Sequence, residues 1–206
     1  AQDKGLLYVI AAPSGCGKTS LLKALLARHP TLKLSVSYTT RPARPGEVDG
    51  EHYCFVDDDA FQQLIDQGEL LEYATVYNYS YGTSATWVAS QLAAGQDVVL
   101  EIDWQGAAQV RERFAEQQVS IFILPPAKES LAERLRGRGQ DAPAVIERRL
   151  AEAREDMSHC ASFDYIMVND DFETAVDDLS RIVEAQALRA CKQLVKQQTL
   201  LADLLN

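Results

Sequence analysis

The chain of 206 residues has no run of 18 or more apolar residues, so no membrane-spanning helix is expected. It has three histidines, scattered at 29, 52 and 159, which form no ligand set. Its four cysteines, at 16, 54, 160 and 191, show neither a zinc-knuckle spacing nor a disulfide framework. They read as buried or incidental thiols of a reducing compartment. Basic side chains are in deficit. Twenty Lys and Arg against 30 Asp and Glu give a net charge of −10. That balance argues against nucleic acid or an anionic membrane as a partner. Internal repeats and low-complexity linkers are also missing. The opening apolar run leads directly into a glycine turn, which reads as a strand rather than a signal peptide and makes the cytoplasm the expected compartment.

Apolar residues make up 47% of the chain, an ordinary share for a soluble globular protein. The continuous apolar run at 6–12 reads as a buried strand, and 33–39, 97–103, 119–125 and 164–169 are further strand candidates. Helical segments at 18–29, 105–117, 128–137, 143–158 and 172–200 separate most of them. The expected class is α/β, with a parallel sheet covered on both faces. Two stretches break the alternation. Residues 40–84 read as a small lobe with its own strands, and 126–156 as an arginine-rich helical lid. The core is then 1–39, 85–125 and 157–206. The aspartates at 57, 58 and 59 start a helix, with Asp59 as its expected N-cap. In the last helix Val176, Leu179, Ile182, Val183, Leu188 and Leu194 are expected to pack on the core. Its final turns are left available for a homo-oligomer contact.

The strongest motif is "APSGCGKT", which follows the first strand. It matches the phosphate-loop pattern G-x-x-x-x-G-K-[ST], with Ala12 in place of the first glycine. Residues Ala12, Pro13, Ser14, Gly15, Cys16, Gly17, Lys18, Thr19 and Ser20 would wrap the phosphates of a nucleoside triphosphate with backbone N–H groups at a helix N-terminus. Lys18 would reach the β- and γ-phosphates, and the Thr19 hydroxyl would meet Mg²⁺. Cys16 sits inside this loop, where a thiol could be oxidised or alkylated with loss of function, and the sequence leaves its redox sensitivity open. "VVLEID" places Glu101 and Asp103 at a strand end, the usual place for an acid near the metal. The GTPase tetrad NKxD is missing, and two arginine groups flank the core instead: Arg41 with Arg44, and the set from Arg134 to Arg149. A transfer between two polyanions needs such charge.

Together, "SVSYTTRPARPGEVDGEHYCFV", "EYATVYNYSYGTS", "EIDWQG", "RLRGRG" and "VNDDF" resemble the guanylate kinase family, in its order and spacing. The resemblance implies a P-loop kinase fold: a five-stranded parallel sheet flanked by helices, with an inserted nucleotide-monophosphate-binding lobe and a helical lid. It implies transfer of the γ-phosphoryl group of ATP to GMP with Mg²⁺, dGMP being a further candidate acceptor. It assigns Arg41, Arg44, Tyr53 and Tyr81 to the GMP phosphate. Glu72 and Asp103 go to the guanine edge, whose N1–H and 2-amino donors suit a carboxylate, with Ser37, Gly82 and Thr83 beside the base. It assigns Arg134, Arg138 and Arg149 to the lid, where with Lys18 and Arg41 they would act on the transferred phosphate, and Asn169 and Asp170 to adenine. Glu101 stands where aspartate is commoner, as a candidate to hold the ligands of the metal in place. Ser80 replaces a tyrosine. A kinase for another nucleoside monophosphate or a sugar phosphate is one alternative, and a phosphopeptide-binding module of the same fold another. The complete Gly17-Lys18-Thr19 ending and arginine lid argue against the module.

Overall fold

The computed structural model describes residues 4–76, 78–137 and 143–205. β1 (Leu7–Ala11) ends in the glycine loop that opens α1 (Lys18–Arg28). β2 (Lys33–Leu34), β3 (Tyr38–Thr39), β4 (Cys54–Phe55), α2 (Asp58–Asp66), β5 (Leu70–Val76) and β6 (Tyr79–Ser84) follow. α3 (Ala85–Ala93) leads to β7 (Val98–Glu101), α4 (Trp104–Phe114) and β8 (Gln118–Leu124). Then come α5 (Lys128–Gly137), α6 (Pro143–Ser158), β9 (Tyr165–Val168), α7 (Phe172–Gln186), α8 (Ala190–Lys196) and α9 (Gln198–Leu205).

The larger sheet has five parallel strands in the order β2-β7-β1-β8-β9. Side chains alternate along β1. Tyr8 and Ile10 pack with Leu21, Leu25, Val176 and Leu179 of α1 and α7, while Leu7 and Val9 pack with Val88, Leu92 and Val110 of α3 and α4. Burial on both faces is why the strand reads as an unbroken apolar run. The smaller sheet, β4-β3-β6-β5, is mixed: β6 runs antiparallel to β3 and β5, and β3 parallel to β4.

Three local expectations change. The run 33–39 is not one strand. Ser35 N still donates to Val99 O at 3.0 Å, but Tyr38 pairs with Gly82 in the other sheet. The chain crosses between sheets inside a stretch that carries no Gly or Pro. The segment 172–200 is not one helix either. Arg189 adopts φ −57°, ψ 140° and starts α8 afresh. Ile182 and Val183 pack on the core as expected, whereas Leu188 and Leu194 are exposed. Finally, Asp57 rather than Asp59 caps α2, its side chain accepting from Ala60 N at 2.7 Å. Asp58 and Asp59 occupy the first turn, favourable to the helix dipole.

Candidate active site

The loop between β1 and α1 turns on two left-handed glycines, Gly15 at φ 91° and Gly17 at φ 82°, a conformation that strains any residue with a Cβ. Gly17 is also the N-cap of α1 and supplies no side chain to it, which leaves first-turn N–H groups for an anion. Cys16 N closes the turn on Pro13 O at 3.2 Å. Ala12 and Ser14 are half-buried and Ser20 exposed. Lys18 Nζ donates to Ile102 O at 3.1 Å, and Thr19 Oγ1 to Glu101 Oε1 at 2.7 Å. Both anchors lie at the end of β7, so the acid end of that strand adjoins the loop.

Cys16 points away from this face. It is fully buried with Leu131, Leu135, Ile146 and Ala153 of α5 and α6. Burial pushes its thiol up to about 12, against the opposing charges of Arg134 and Lys18. A buried thiol of that acidity is a poor nucleophile, which argues against oxidation or alkylation at this position. Asn169 is 6% exposed, and its Nδ2 donates to Cys16 O at 2.7 Å. The side chain expected against adenine is thus committed to the phosphate loop. Its neighbour Asp170 is exposed.

In the smaller sheet, register pairs Glu72 of β5 with Thr83 of β6. Glu72 is 3% exposed, and Oε1 accepts from Thr83 Oγ1 at 2.6 Å. Burial pushes its carboxyl up to about 7; the charge of Asp103 adds to this and the Thr83 hydrogen bond opposes it. Asp103 is also the N-cap of α4. Its Oδ1 accepts from Gly106 N at 2.9 Å and its Oδ2 from Gln105 Nε2 at 3.1 Å. Gly82 has no room for a side chain: a Cβ there would stand 2.9 Å from Leu70 Cδ1. Ser37 is half-buried, and its carbonyl accepts from Cys54 N at 2.9 Å.

Arg41 is 8% exposed, with its guanidinium 5.2 Å from the Tyr53 ring centre and 5.9 Å from that of Phe55. Tyr53 meets Tyr81 edge-on at 6.0 Å. Burial, then the charge of Glu101, pushes the Tyr53 phenol up, so it remains a proton donor. Sequence reasoning missed Glu47. Its Oε1 accepts from Arg41 Nη2 at 2.8 Å and its Oε2 from Arg44 N at 2.7 Å. The Arg41 hydrogen bond holds the Glu47 carboxyl below its usual range. The visible signal was an acid three residues after Arg44, across the turn residues Pro45 and Gly46. The Arg44 residue itself is exposed.

Arg134 Nη2 donates to Asn169 O at 3.1 Å, while Nη1 is buried with no hydrogen-bond partner among the described residues. Arg149 is half-buried on α6. Arg138 lies outside the described residues. Asp156, also missed in the sequence, comes from α6 to the junction of both halves. Burial pushes it up to about 6, the charge of Asp103 adding and that of Lys18 opposing. Nearby, Trp104 stacks on His159 with ring centres 3.5 Å apart and planes 8° from parallel, which docks the end of α6 on the start of α4. Among the described residues no group of three or more His, Cys, Asp or Glu could hold a metal. Magnesium bound with nucleotide needs only one or two protein oxygens beside phosphates and water, and the Thr19–Glu101 pair fits that demand.

The sequence profile described as Guanylate kinase matches residues 4–186. A guanylate kinase of Alcanivorax borkumensis is 53% identical over 203 residues, covering 98% of each chain. One of Vibrio cholerae is 51% identical over 204 residues, again covering 98% of each. The crystal structure of a guanylate kinase from Anaplasma phagocytophilum superimposes with a TM-score of 0.79 at 36% identity, covering 93% of this chain and 90% of that one.

Proposed function

The chain belongs to the guanylate kinase family and is an ATP:GMP phosphotransferase, and from that premise we propose which of its residues perform the transfer. The γ-phosphoryl group leaves ATP for a phosphate oxygen of GMP, with ADP departing from the loop. One observation carries the assignment. Residues 101–103 join both halves: Glu101 and Ile102 hold Thr19 and Lys18, and Asp103 caps the helix that packs on Glu72. Donor and acceptor are therefore registered against one short piece of backbone.

Lys18, the loop N–H groups and α1 bind the donor phosphates. Thr19 and Glu101 would hold Mg²⁺, which supplies charge neutralisation at the β- and γ-oxygens when bound. Arg41, Arg44, Tyr53 and Tyr81 take the GMP phosphate, with Glu47 aligning the Arg41 fork. Glu72, steadied by Thr83, accepts from N1–H and the 2-amino group, and Asp103 and Ser37 flank it. Arg134 brings a buried, unpaired Nη1 to the transferred phosphate; Arg138 and Arg149 complete the lid, and Asp170 lies toward adenine. Catalysis is positioning and positive charge in a dry site, with no covalent intermediate. The lobe 40–84 and the lid 126–156 close over the core to dry it. A cytoplasmic setting, dGMP as a second acceptor and self-association through the exposed Leu194, Leu200 and Leu204 complete the proposal.

A coupled ADP-release assay with ATP and Mg²⁺ tests it, with GMP, dGMP, AMP, CMP, UMP and dTMP offered in turn. Turnover should be confined to the guanine acceptors, and Lys18→Ala should abolish it in a chain that still folds. Near-normal activity of Lys18→Ala would sink the donor-site assignment. Light scattering after size exclusion checks self-association.

A further inference from the structure

We propose that Gly106 is a specificity-determining residue: the missing side chain at this position is what seats the Glu72 carboxylate for guanine. This rests on the reading of Glu72 as the guanine-facing acid. Gly106 is buried in the first turn of α4. It is not among the positive-φ glycines, so alanine would suit its backbone, and alanine is the better helix former. Conformation gives no reason for glycine here.

Space does. A Cβ on Gly106 would overlap Glu72 Oε2 outright and stand 3.0 Å from Cδ, with Ile102 Cδ1 at 3.3 Å on the other side. Glu72 has little freedom to retreat. Its Oε1 is held by Thr83 Oγ1 at 2.6 Å, and Thr83 is itself fully buried. Moving the carboxylate breaks that bond and leaves a buried hydroxyl unpaired, a costly outcome. Gly106 also donates its N–H to Asp103 Oδ1 at 2.9 Å. One residue thus touches both acids and fixes the spacing between them. The phosphate loop is anchored on Glu101 and Ile102 instead. Filling the Gly106 position should therefore spoil acceptor recognition ahead of donor binding.

The test compares Gly106→Ala, Glu72→Gln, Glu72→Asp and the double variant Gly106→Ala/Glu72→Asp. It measures kcat/KM for GMP and for IMP, which lacks the 2-amino group, together with KM for ATP and the melting temperature. In Gly106→Ala the GMP-to-IMP preference should fall about tenfold or more, because a misplaced buried acceptor loses its discrimination. KM for ATP should stay within about twofold of the parent value, as the interactions at the two sites are separate. Glu72→Asp, one methylene shorter, should recover in the double variant the melting temperature lost in Gly106→Ala. An unchanged preference in Gly106→Ala beside a collapsed one in Glu72→Gln overturns the role of Gly106 alone. Unchanged preference in both overturns the Glu72 reading with it. Should Gly106→Ala fail to fold, a folded double variant supports the proposal. A double variant that also fails to fold overturns it, because the collision then lies elsewhere.

Discussion

A carboxyl group as buried as Glu72 is a poor place for a charge, and the chain keeps one there. Its pKa rises from 4.5 in the free side chain to about 7 in the fold. The folded value lies above the unfolded one, so the favourable contribution is complete below about pH 4.5 and is lost as pH rises through about 7. That interval corresponds to at most roughly 3 kcal/mol. Glu72→Gln, whose amide oxygen can still accept from Thr83, should therefore be more stable than the parent at pH 8 and show no such gain at pH 4.5. Denaturant unfolding at the two pH values decides it, and equal stabilities at pH 8 would refute the burial argument. Activity should move the other way. The ionised form faces the two guanine donors, so kcat/KM for GMP should climb with pH through about 7. That bend should disappear in Glu72→Gln, while any bend from the nucleotide phosphates persists. Cys16 gives a second expectation at this scale. With its thiol at about 12 and no exposed surface, it should resist alkylation at pH 8, while the exposed Cys191 reacts first. Mass spectrometry of the labelled chain shows the order, and early loss of Cys16 would contradict its burial.

At the scale of elements, the phosphate loop depends on a strand end distant in sequence. The Asn169 amide holds Cys16 O, its backbone carbonyl takes Arg134, and a Cβ on Gly17 would come within 2.9 Å of Nδ2. Asn169→Ala removes a buried hydrogen bond of roughly 1 kcal/mol and leaves the carbonyl unpaired. KM for ATP should rise about fivefold to tenfold on that account, with KM for GMP little changed. A larger effect on GMP than on ATP would detach Asn169 from the loop. Much of this architecture was legible because each signal was local. Continuous apolar runs marked β1, β7, β8 and β9, and "GCGKT" marked the loop. The split of 33–39 was hidden because the alternation of Leu34, Val36 and Tyr38 runs through both halves and no Gly or Pro marks the crossing. The break after Gln186 was hidden too: Leu188 and Arg189 are not helix breakers, and no Gly or Pro stands there. Asp156 was invisible as a site group because the charges beside it, Asp103 and Lys18, are brought there by tertiary packing, whereas Glu47 binds Arg41 and Arg44 within one turn and its spacing was legible. Gly106 was hidden because its neighbour, Glu72, lies 34 positions away in the chain.

At the scale of the whole molecule, an acidic chain must bring together two polyanions, and it does so with a few concentrated cations. The excess of negative charge lies elsewhere, on surfaces such as the exposed aspartates opening α2. Two of the key cations are provisionally engaged: Arg41 holds Glu47, and Arg134 holds a backbone carbonyl while a second nitrogen stays unpaired. Buried cations left in this state favour a conformation in which phosphate takes up their remaining donors. The smaller sheet joins the core through the crossing before β3 and through β6 into α3, and α4 packs on β5. The lid helices meet the loop through Cys16. GMP should therefore draw in the lobe, a non-hydrolysable ATP analogue should draw in the lid, and only both together should close the site fully. Small-angle X-ray scattering would register this as a stepwise contraction, on the order of 1 Å from a radius of gyration of about 17 Å. The doubly bound state should be smaller than either singly bound one. Equal radii in all states would mean that the site is dry and aligned without closure. Water exclusion would then have to come from the nucleotides themselves.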